Sequence, residues 1–167
     1  MSSPTFVIND KQQTCYCDSG KLFSECCLPL LDNNAYAKTA KQLMRSRYTA
    51  FCLHQFDYLV DTLYPSNRPQ DDQPRIESND PTRWISLRII NQSINPQNNN
   101  EAWVEFIATF EENGLFYELH ENSNFIKKNS RWYYTEGETI IQPISLKWPR
   151  NAPCWCRSGK KYKVCHH

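Results

Sequence analysis

The polarity pattern of the chain changes its period near residue 84, with helical spacing before it and strand alternation after it. Thr39, with Gln42 three residues later, is typical of a capping box, so we predict that a helix begins there. When successive residues are placed 100° apart, one face of this helix carries four apolar side chains: Leu43, Met44, Tyr48 and Phe51. A second helix is predicted from Phe56 to Leu63, and Pro65 ends it.

The second half of the chain has the alternation expected of β-strands. The segment Ser66–Arg83 contains three prolines and several charges, so we predict a loop with at most one helical turn. Four strands are predicted after it: Trp84–Asn91, Ala102–Phe110, Leu115–Ile126 and Arg131–Glu136. Their polar connections are short enough for antiparallel hairpins: Asn95–Glu101, Glu111–Gly114 and Lys127–Ser130. One face of the second strand is apolar: Val104, Phe106, Ala108 and Phe110. Helices followed by an antiparallel meander indicate an α+β fold.

Composition excludes several classes of protein. The chain has 167 residues and a net charge of +1, which suits one domain with short appendages and excludes a uniformly basic nucleic-acid binder. Aromatic residues make up 13%, which excludes a disordered chain. No apolar run approaches the ~18–20 residues of a membrane span. The polar segment Met1–Gln13 lacks the pattern of a secretory signal, so we expect a cytoplasmic protein with reduced thiols.

The two ends of the chain carry the same cysteine-rich motif. In each copy, Cys-x-Cys is followed after eight residues by Cys and then by Cys or His, and seven of the eight cysteines belong to this pattern. Structural zinc sites take four thiolate or imidazole ligands. We therefore predict two structural Zn²⁺ ions, one bound by Cys15, Cys17, Cys26 and Cys27 and the other by Cys154, Cys156, Cys165 and His166. His167 is an alternative to His166, and the spacing does not choose between them.

Disulfides, free thiols and redox cysteines are the alternatives to zinc. Cys-x-Cys pairs are poorly spaced for an unstrained disulfide, and a redox site usually has Cys-x-x-Cys. Ordering about 13 residues costs on the order of 1–2 kcal/mol each, more than one buried aromatic and one aliphatic return at roughly 1.5–3 kcal/mol apiece. Ser19 and Ser158 are predicted to cap a short helical turn in each motif. Cys52 lies in the first predicted helix, where we expect an ordinary buried thiol.

These motifs resemble the SEC-C zinc motif, which is named for its place at the C-terminus of the SecA translocation motor. Two copies around a middle domain resemble the bacterial YchJ family, and the segments Leu43–Phe51 and Trp132–Gly137 are similar to its signature. The resemblance implies a nuclear transport factor 2-like cone, a curved sheet wrapped around helices. It divides the chain into a zinc motif at 1–31, a middle domain at 32–146 and a second zinc motif at 147–167.

The motifs depart from the family pattern at two positions each. Tyr16 and Trp155 stand where the motif has Pro, and Asp18 and Arg157 stand where it has Gly. Asp adopts unusual backbone angles more readily than Arg does. The turn at Arg157 therefore has the less favourable geometry.

Arg47 falls inside the apolar face of the first predicted helix, where an unpaired charge is very costly. Alternation along the third strand places Glu121 on the face of Leu119 and Phe125, so we predict a contact between Arg47 and Glu121. Such a pair either fixes the helix against the sheet or forms the polar part of a ligand pocket. The candidate pocket residues are Arg47, Tyr48, Trp84 and Glu121.

We favour a non-enzymatic adaptor that binds a protein partner through its zinc motifs. From Lys147 onward the chain has six Lys or Arg and no acid, so the second motif is a candidate surface for RNA or an acidic protein, with a solvated basic tail as the alternative. The residues of that surface are Trp155, Arg157, Lys160, Lys161 and Lys163. The alternative function is a small-ligand-binding protein or an enzyme in the cone interior. The sequence shows no acid–base pair for proton transfer there, and four protein ligands leave zinc no open position for water.

Overall fold

The computed structural model describes residues 13–70 and 80–166. Helix α1 spans Leu28–Leu31, α2 spans Ala40–Cys52, α3 spans Phe56–Asp61 and α4 spans Tyr162–Cys165. Two 3₁₀ turns lie at Phe23–Glu25 and Pro65–Asn67. Most of the segment used to exclude a secretory signal, part of the predicted loop and His167 lie outside the described residues.

Helix α2 begins where the capping box predicted it. The Thr39 hydroxyl accepts a hydrogen bond from the backbone N–H of Gln42 at 3.1 Å. The Gln42 side chain accepts from the N–H of Lys38 at 2.8 Å, one residue before the N-cap. The Thr39 hydroxyl thus satisfies a donor that the first turn leaves without a helical partner, and Gln42 binds the backbone just before the cap. Helix α3 also begins as predicted at Phe56 and ends two residues early, at Asp61.

Four strands form one antiparallel sheet in the order β1-β2-β3-β4: Arg83–Asn95, Asn98–Glu112, Leu115–Lys128 and Arg131–Ile144. The predicted seven-residue connection after β1 is a tight turn at residues 96 and 97, and β4 continues eight residues beyond the predicted end at Glu136. These extensions are exposed on both faces. Because neither face is buried, their sequence carries no alternation, and pairing with the neighbouring strand alone defines them.

The core lies between the helices and one face of the sheet. Val104 and Ala108 of β2 are fully buried and share a face with Phe106, as predicted. They belong to the same cluster as Leu43 of α2 and Leu59 of α3. The middle of the chain is therefore an α+β unit in which the helices cover the inner face of a meander. No helix among the described residues is long and apolar enough to cross a membrane.

The two cysteine-rich motifs attach to this unit differently. Cys15, Cys27 and Phe23 are buried within the main core cluster. Cys154 and Trp155 form a separate small cluster with Ile85 of β1. The N-terminal motif is thus part of the domain core, and the C-terminal motif lies on the outer side of the sheet edge.

The cap of α2 generates a stability prediction. Replacing Thr39 by Ala removes the hydroxyl that accepts from Gln42, and we expect the free energy of unfolding to fall by about 1 kcal/mol. Chemical denaturation followed by circular dichroism measures the change. Thr39→Ser keeps an accepting hydroxyl and serves as the control, so an equal loss in both variants would contradict the capping role.

Candidate metal centres and central cavity

Four thiols converge in the N-terminal knuckle, which we define as residues 14–27. The bridge between Thr14 and Leu22 closes the loop, and the 3₁₀ turn at Phe23–Glu25 returns the chain toward it. The four sulfur atoms, those of Cys15, Cys17, Cys26 and Cys27, all lie within 4.8 Å of one another. The Cys17 and Cys26 sulfurs are 3.6 Å apart, and those of Cys26 and Cys27 are 3.9 Å apart. Zinc–sulfur bonds of about 2.3 Å in a tetrahedron separate the sulfurs by roughly 3.8 Å, so the donor set fits such an ion.

The C-terminal knuckle, residues 153–166, repeats this arrangement. The bridge between Pro153 and Lys161 occupies the position of the N-terminal bridge. Cys154, Cys156, Cys165 and His166 form the second four-donor cluster. The Cys156 sulfur lies 3.4 Å from each of the other two sulfurs, and Nδ1 of His166 lies 3.0 Å from the Cys154 sulfur. Among the described residues, His166 is therefore the histidine that supplies the fourth donor atom of this cluster.

The thiols within each cluster do not ionise independently. Hydrogen bonds from the thiols of Cys15 and Cys27 lower the pKa of Cys17, and the hydrogen bond to Cys17 raises the pKa of Cys15 to about 12. A hydrogen bond from Cys27 lowers the pKa of Cys26 to about 6. The sulfurs of the N-terminal cluster therefore share protons, and a bound cation would displace those protons because cysteine ligates a metal as the thiolate.

Ser19 and Ser158 do not cap a helix, which corrects the prediction made for them. Each hydroxyl lies 3.3 Å from a cluster sulfur, that of Cys26 or Cys165. Each also accepts the backbone N–H two residues ahead, from Lys21 or Lys160. The glycine that follows each serine has a φ of +76°, so the chain turns before any helical residue begins. The serines consequently orient the cysteine ligands from outside the cluster.

The two knuckles contact each other through the residues that replace glycine. The Arg157 guanidinium lies 4.6 Å from the centre of the Tyr16 ring, donates to the Tyr16 carbonyl at 3.1 Å and forms an ion pair with Asp18 at 3.5 Å. The other Asp18 oxygen accepts the N–H of Leu87 on β1 at 2.8 Å. Both residues have positive φ, 53° at Asp18 and 61° at Arg157. The strained backbone at Arg157 is therefore accompanied by contacts that glycine could not make.

The predicted basic surface is smaller than expected. Trp155 is only 5% exposed and packs against Phe116 and His166, so it belongs to the core rather than to a contact surface. Arg157 is engaged with the N-terminal knuckle. Lys160, Lys161 and Lys163 are exposed as expected. Trp155 is buried because its side chain packs with Ile85, which lies on the outer side of β1.

Arg47 and Glu121 do not form the predicted pair. The Arg47 guanidinium donates to the carbonyl of Leu59 at 2.7 Å and to the hydroxyl of Thr62 at 2.6 Å, and it lies 4.6 Å from the centre of the Tyr134 ring. Glu121 instead accepts hydrogen bonds from three hydroxyl groups, those of Ser123, Tyr134 and Thr139. The prediction placed both residues on the correct faces but missed Tyr134, which lies between them. Alternation from Trp132 along β4 is the signal that places Tyr134 on the inner face.

The four predicted pocket residues nevertheless line one cavity of about 310 Å³: Arg47, Tyr48, Trp84 and Glu121. Burial raises the pKa of Tyr48, so its hydroxyl stays protonated. A Cβ atom on Gly137 would lie 2.3 Å from a Glu121 oxygen, so the absence of a side chain there gives the carboxylate its space. Cys52 belongs to neither cluster, and burial raises the pKa of its thiol to about 12.

Comparison with known proteins matches both parts of the chain. Residues 39–137 match the family model described as the YchJ middle NTF2-like domain, and residues 150–167 match the SEC-C motif. The chain is 40% identical to the UPF0225 protein plu2503 of Photorhabdus laumondii, over 92% of this chain and 98% of the relative. It is 41% identical to the UPF0225 protein GSU1048 of Geobacter sulfurreducens, over 90% and 96% of the two chains.

Two solved structures share the fold. The solution structure of a SEC-C motif containing protein from Rhodopseudomonas palustris superposes with a TM-score of 0.66 at 38% identity, covering 75% of this chain and 98% of that one. The crystal structure of a SEC-C motif containing protein from Psychrobacter arcticus gives a TM-score of 0.62 at 29% identity, covering 93% and 96%. These matches confirm the predicted α+β fold with a nuclear transport factor 2-like middle domain.

The clusters generate a prediction about metal stoichiometry. We expect two divalent ions per chain in native mass spectrometry, because each cluster supplies four donors. Cys165→Ala removes one donor from the C-terminal cluster and should leave one tightly held ion. Cys52→Ala is the matched control and should retain both. A wild-type chain without bound metal, or a loss in the control equal to that in Cys165→Ala, would contradict the assignment.

Proposed function

The chain belongs to the YchJ (UPF0225) family, and from that premise we propose that it is a zinc-binding, non-enzymatic adaptor whose C-terminal knuckle docks an acidic protein surface. The observation that carries this proposal is the pair of complete four-donor clusters held against one another through Arg157. If a zinc ion links the four donors within each knuckle, the two packed knuckles form one ordered surface.

Zinc is the metal that suits both donor sets. Sets of four thiolates or of three thiolates and one imidazole favour tetrahedral Zn²⁺ over the oxygen-preferring cations Mg²⁺ and Ca²⁺. The ion would cross-link each knuckle and would contribute an apparent ~10–16 kcal/mol to its ordering. With all four positions taken by protein, neither cluster offers the open position that a catalytic zinc needs. We also propose a cytoplasmic location, because cysteines stay reduced there and remain available to bind zinc.

The exposed face of the C-terminal knuckle has the composition of a small docking surface. Val164 of α4 is 68% exposed, among the largest exposures of any large apolar side chain in the described residues. Three exposed cations lie near it in sequence: Lys160, Lys161 and Lys163. An apolar centre with a charged rim is typical of protein–protein interfaces, and the rim charge selects acidic partners.

An acidic protein suits this face better than RNA does. Single-stranded RNA is bound by exposed aromatic rings on which bases stack. Trp155 is buried, and the Tyr162 ring is half-buried and stacked on His166 at a centroid distance of 6.2 Å. The rings of Trp155 and Tyr162 are therefore not free for base stacking, whereas the described part of this face offers three cations and an aliphatic side chain.

The metal assignment is tested on the protein as isolated. Inductively coupled plasma mass spectrometry of the native chain should find zinc, and removal of the metal by a strong chelator should lower the melting temperature. Re-addition of Zn²⁺ should restore that temperature, because metal binding orders the knuckles. Iron in place of zinc, or a melting temperature that is insensitive to the chelator, would overturn this part of the proposal.

The docking face is tested with charge-matched variants and two defined probes. Fluorescence anisotropy would follow an acidic peptide that contains leucine and a uridine-rich single-stranded RNA. Replacing Lys160, Lys161 and Lys163 by Gln should weaken binding of the peptide by about tenfold, because charges at the rim of an interface set its association rate and its specificity. As the control, replacing Lys38, Arg88 and Lys128 by Gln removes the same amount of charge outside the knuckle and should change the peptide affinity little.

Val164→Ser separates docking from simple charge attraction, because it removes the apolar centre and leaves every charge in place. We expect this variant to bind the acidic peptide more weakly than the wild type as well. Equal losses in the two charge variants would mean that only net charge matters, which contradicts the proposal. If the variant at Lys160, Lys161 and Lys163 instead lost RNA binding and retained peptide binding, an RNA-binding role would replace the proposed protein-binding role.

A further inference from the structure

Arg47 is a buried cation with an unused hydrogen-bonding edge. The residue is 7% exposed, and Nη1 makes both of its hydrogen bonds, to Leu59 and Thr62. Among residues 13–70 and 80–166, no hydrogen bond is donated by Nε or Nη2, and no carboxylate lies within ion-pair distance of the guanidinium. Nε and Nη2 form one edge of the guanidinium, with parallel N–H groups that match the two oxygens of a carboxylate.

Glu121 cannot serve as the missing counter-ion where it lies. Its Oε1 accepts from Ser123 and Tyr134, and its Oε2 accepts from Thr139 at 2.8 Å. Gly137 provides the space in which this carboxylate lies against β4. The Tyr134 hydroxyl is directed to Glu121, while the face of its ring contacts Arg47. Three hydroxyl groups therefore satisfy the Glu121 carboxylate, which lines the same cavity as Arg47 without pairing with it.

The space beside Arg47 is mainly apolar, although Tyr48, Glu121 and Tyr134 also line it. The cavity of about 310 Å³ is lined by apolar side chains of α2 and the sheet, including Met44, Phe51, Phe106, Ala108 and Leu119. Its volume is at the lower end of the ~300–1,000 Å³ that ligand pockets occupy. A single ring or a short branched chain would fit beside the guanidinium. Burial lowers the pKa of Arg47 to about 10, so the group keeps its charge near neutral pH in surroundings that strengthen ion pairing.

We propose that the cavity of the middle domain binds a small monocarboxylate with an apolar body, and that the Nε–Nη2 edge of Arg47 receives its carboxylate. The apolar part of the ligand packs against Phe51, Trp84 and Phe106. A buried guanidinium without an anion is costly, and a ligand carboxylate removes that cost. This site is distinct from both knuckles, so its failure would leave the adaptor proposal standing.

The test compares three probes on the full-length metal-loaded chain. Phenylacetate carries ring and charge, 2-phenylethanol carries the ring without the charge, and acetate carries the charge without the ring. Isothermal titration calorimetry or ligand-observed NMR should show that phenylacetate binds at least about tenfold more tightly than either other probe, since a charge-assisted bidentate contact adds to ring burial. The absence of saturable phenylacetate binding, or equal affinity for phenylacetate and 2-phenylethanol, would overturn the proposal without any variant.

Two variants then locate the site. Arg47→Lys keeps the charge but loses the two-pronged edge, and it should lower phenylacetate affinity about tenfold while 2-phenylethanol changes little. Ala108→Leu fills the cavity from β2 and should abolish binding of both aromatic probes. Arg131→Lys, outside the cavity, is the control and should bind like the wild type. Unchanged phenylacetate binding by folded Ala108→Leu would place the ligand elsewhere and contradict the proposal. If either cavity variant does not fold, the preference of the wild type for phenylacetate over 2-phenylethanol tests the proposal by itself.

Discussion

A cysteine-rich segment of about a dozen residues cannot bury enough apolar surface to order itself, and this constraint shapes both ends of the chain. Each knuckle places four donor atoms within 4.8 Å of one another and is packed against something larger. The N-terminal knuckle joins the main core through Cys15 and Phe23. The C-terminal knuckle covers Ile85 with Trp155 and reaches the N-terminal knuckle with Arg157.

The same motif therefore has two different surroundings. The N-terminal copy is sandwiched between α2 and the C-terminal copy, with the Arg45 side chain donating to the carbonyl of Cys17 and the Thr49 hydroxyl 3.9 Å from the Cys15 sulfur. The C-terminal copy has α4 on its outer side, where Val164 and the lysines remain exposed. Sequence repetition gives each copy four donor atoms within 4.8 Å of one another, whereas packing places the N-terminal copy in the main core and the C-terminal copy in a separate small cluster.

The middle domain keeps Arg47 and Glu121 apart rather than pairing them. Arg47 holds the end of α3 through Leu59 and Thr62, and Glu121 holds β3 to β4 through Thr139. The Tyr134 ring between them shields one charge from the other while contacting both. Each charge thus has a structural role, and the guanidinium also lines a mainly apolar cavity.

The sequence by itself determined the two clusters of donor residues except for the choice of histidine. It also determined the cap of α2, the α+β order and the inner face of β2, because each follows from local spacing or periodicity. Tertiary structure decided the rest. Alternation put Arg47 and Glu121 on facing surfaces, but a direct contact depended on the third element, β4, whose Tyr134 enters between them. Trp155 is buried against Ile85, 70 positions earlier in the chain, and the ion pair joins Asp18 to Arg157, 139 positions later. Only the folded chain brings these segments together, since no local pattern records which distant surface a side chain will cover.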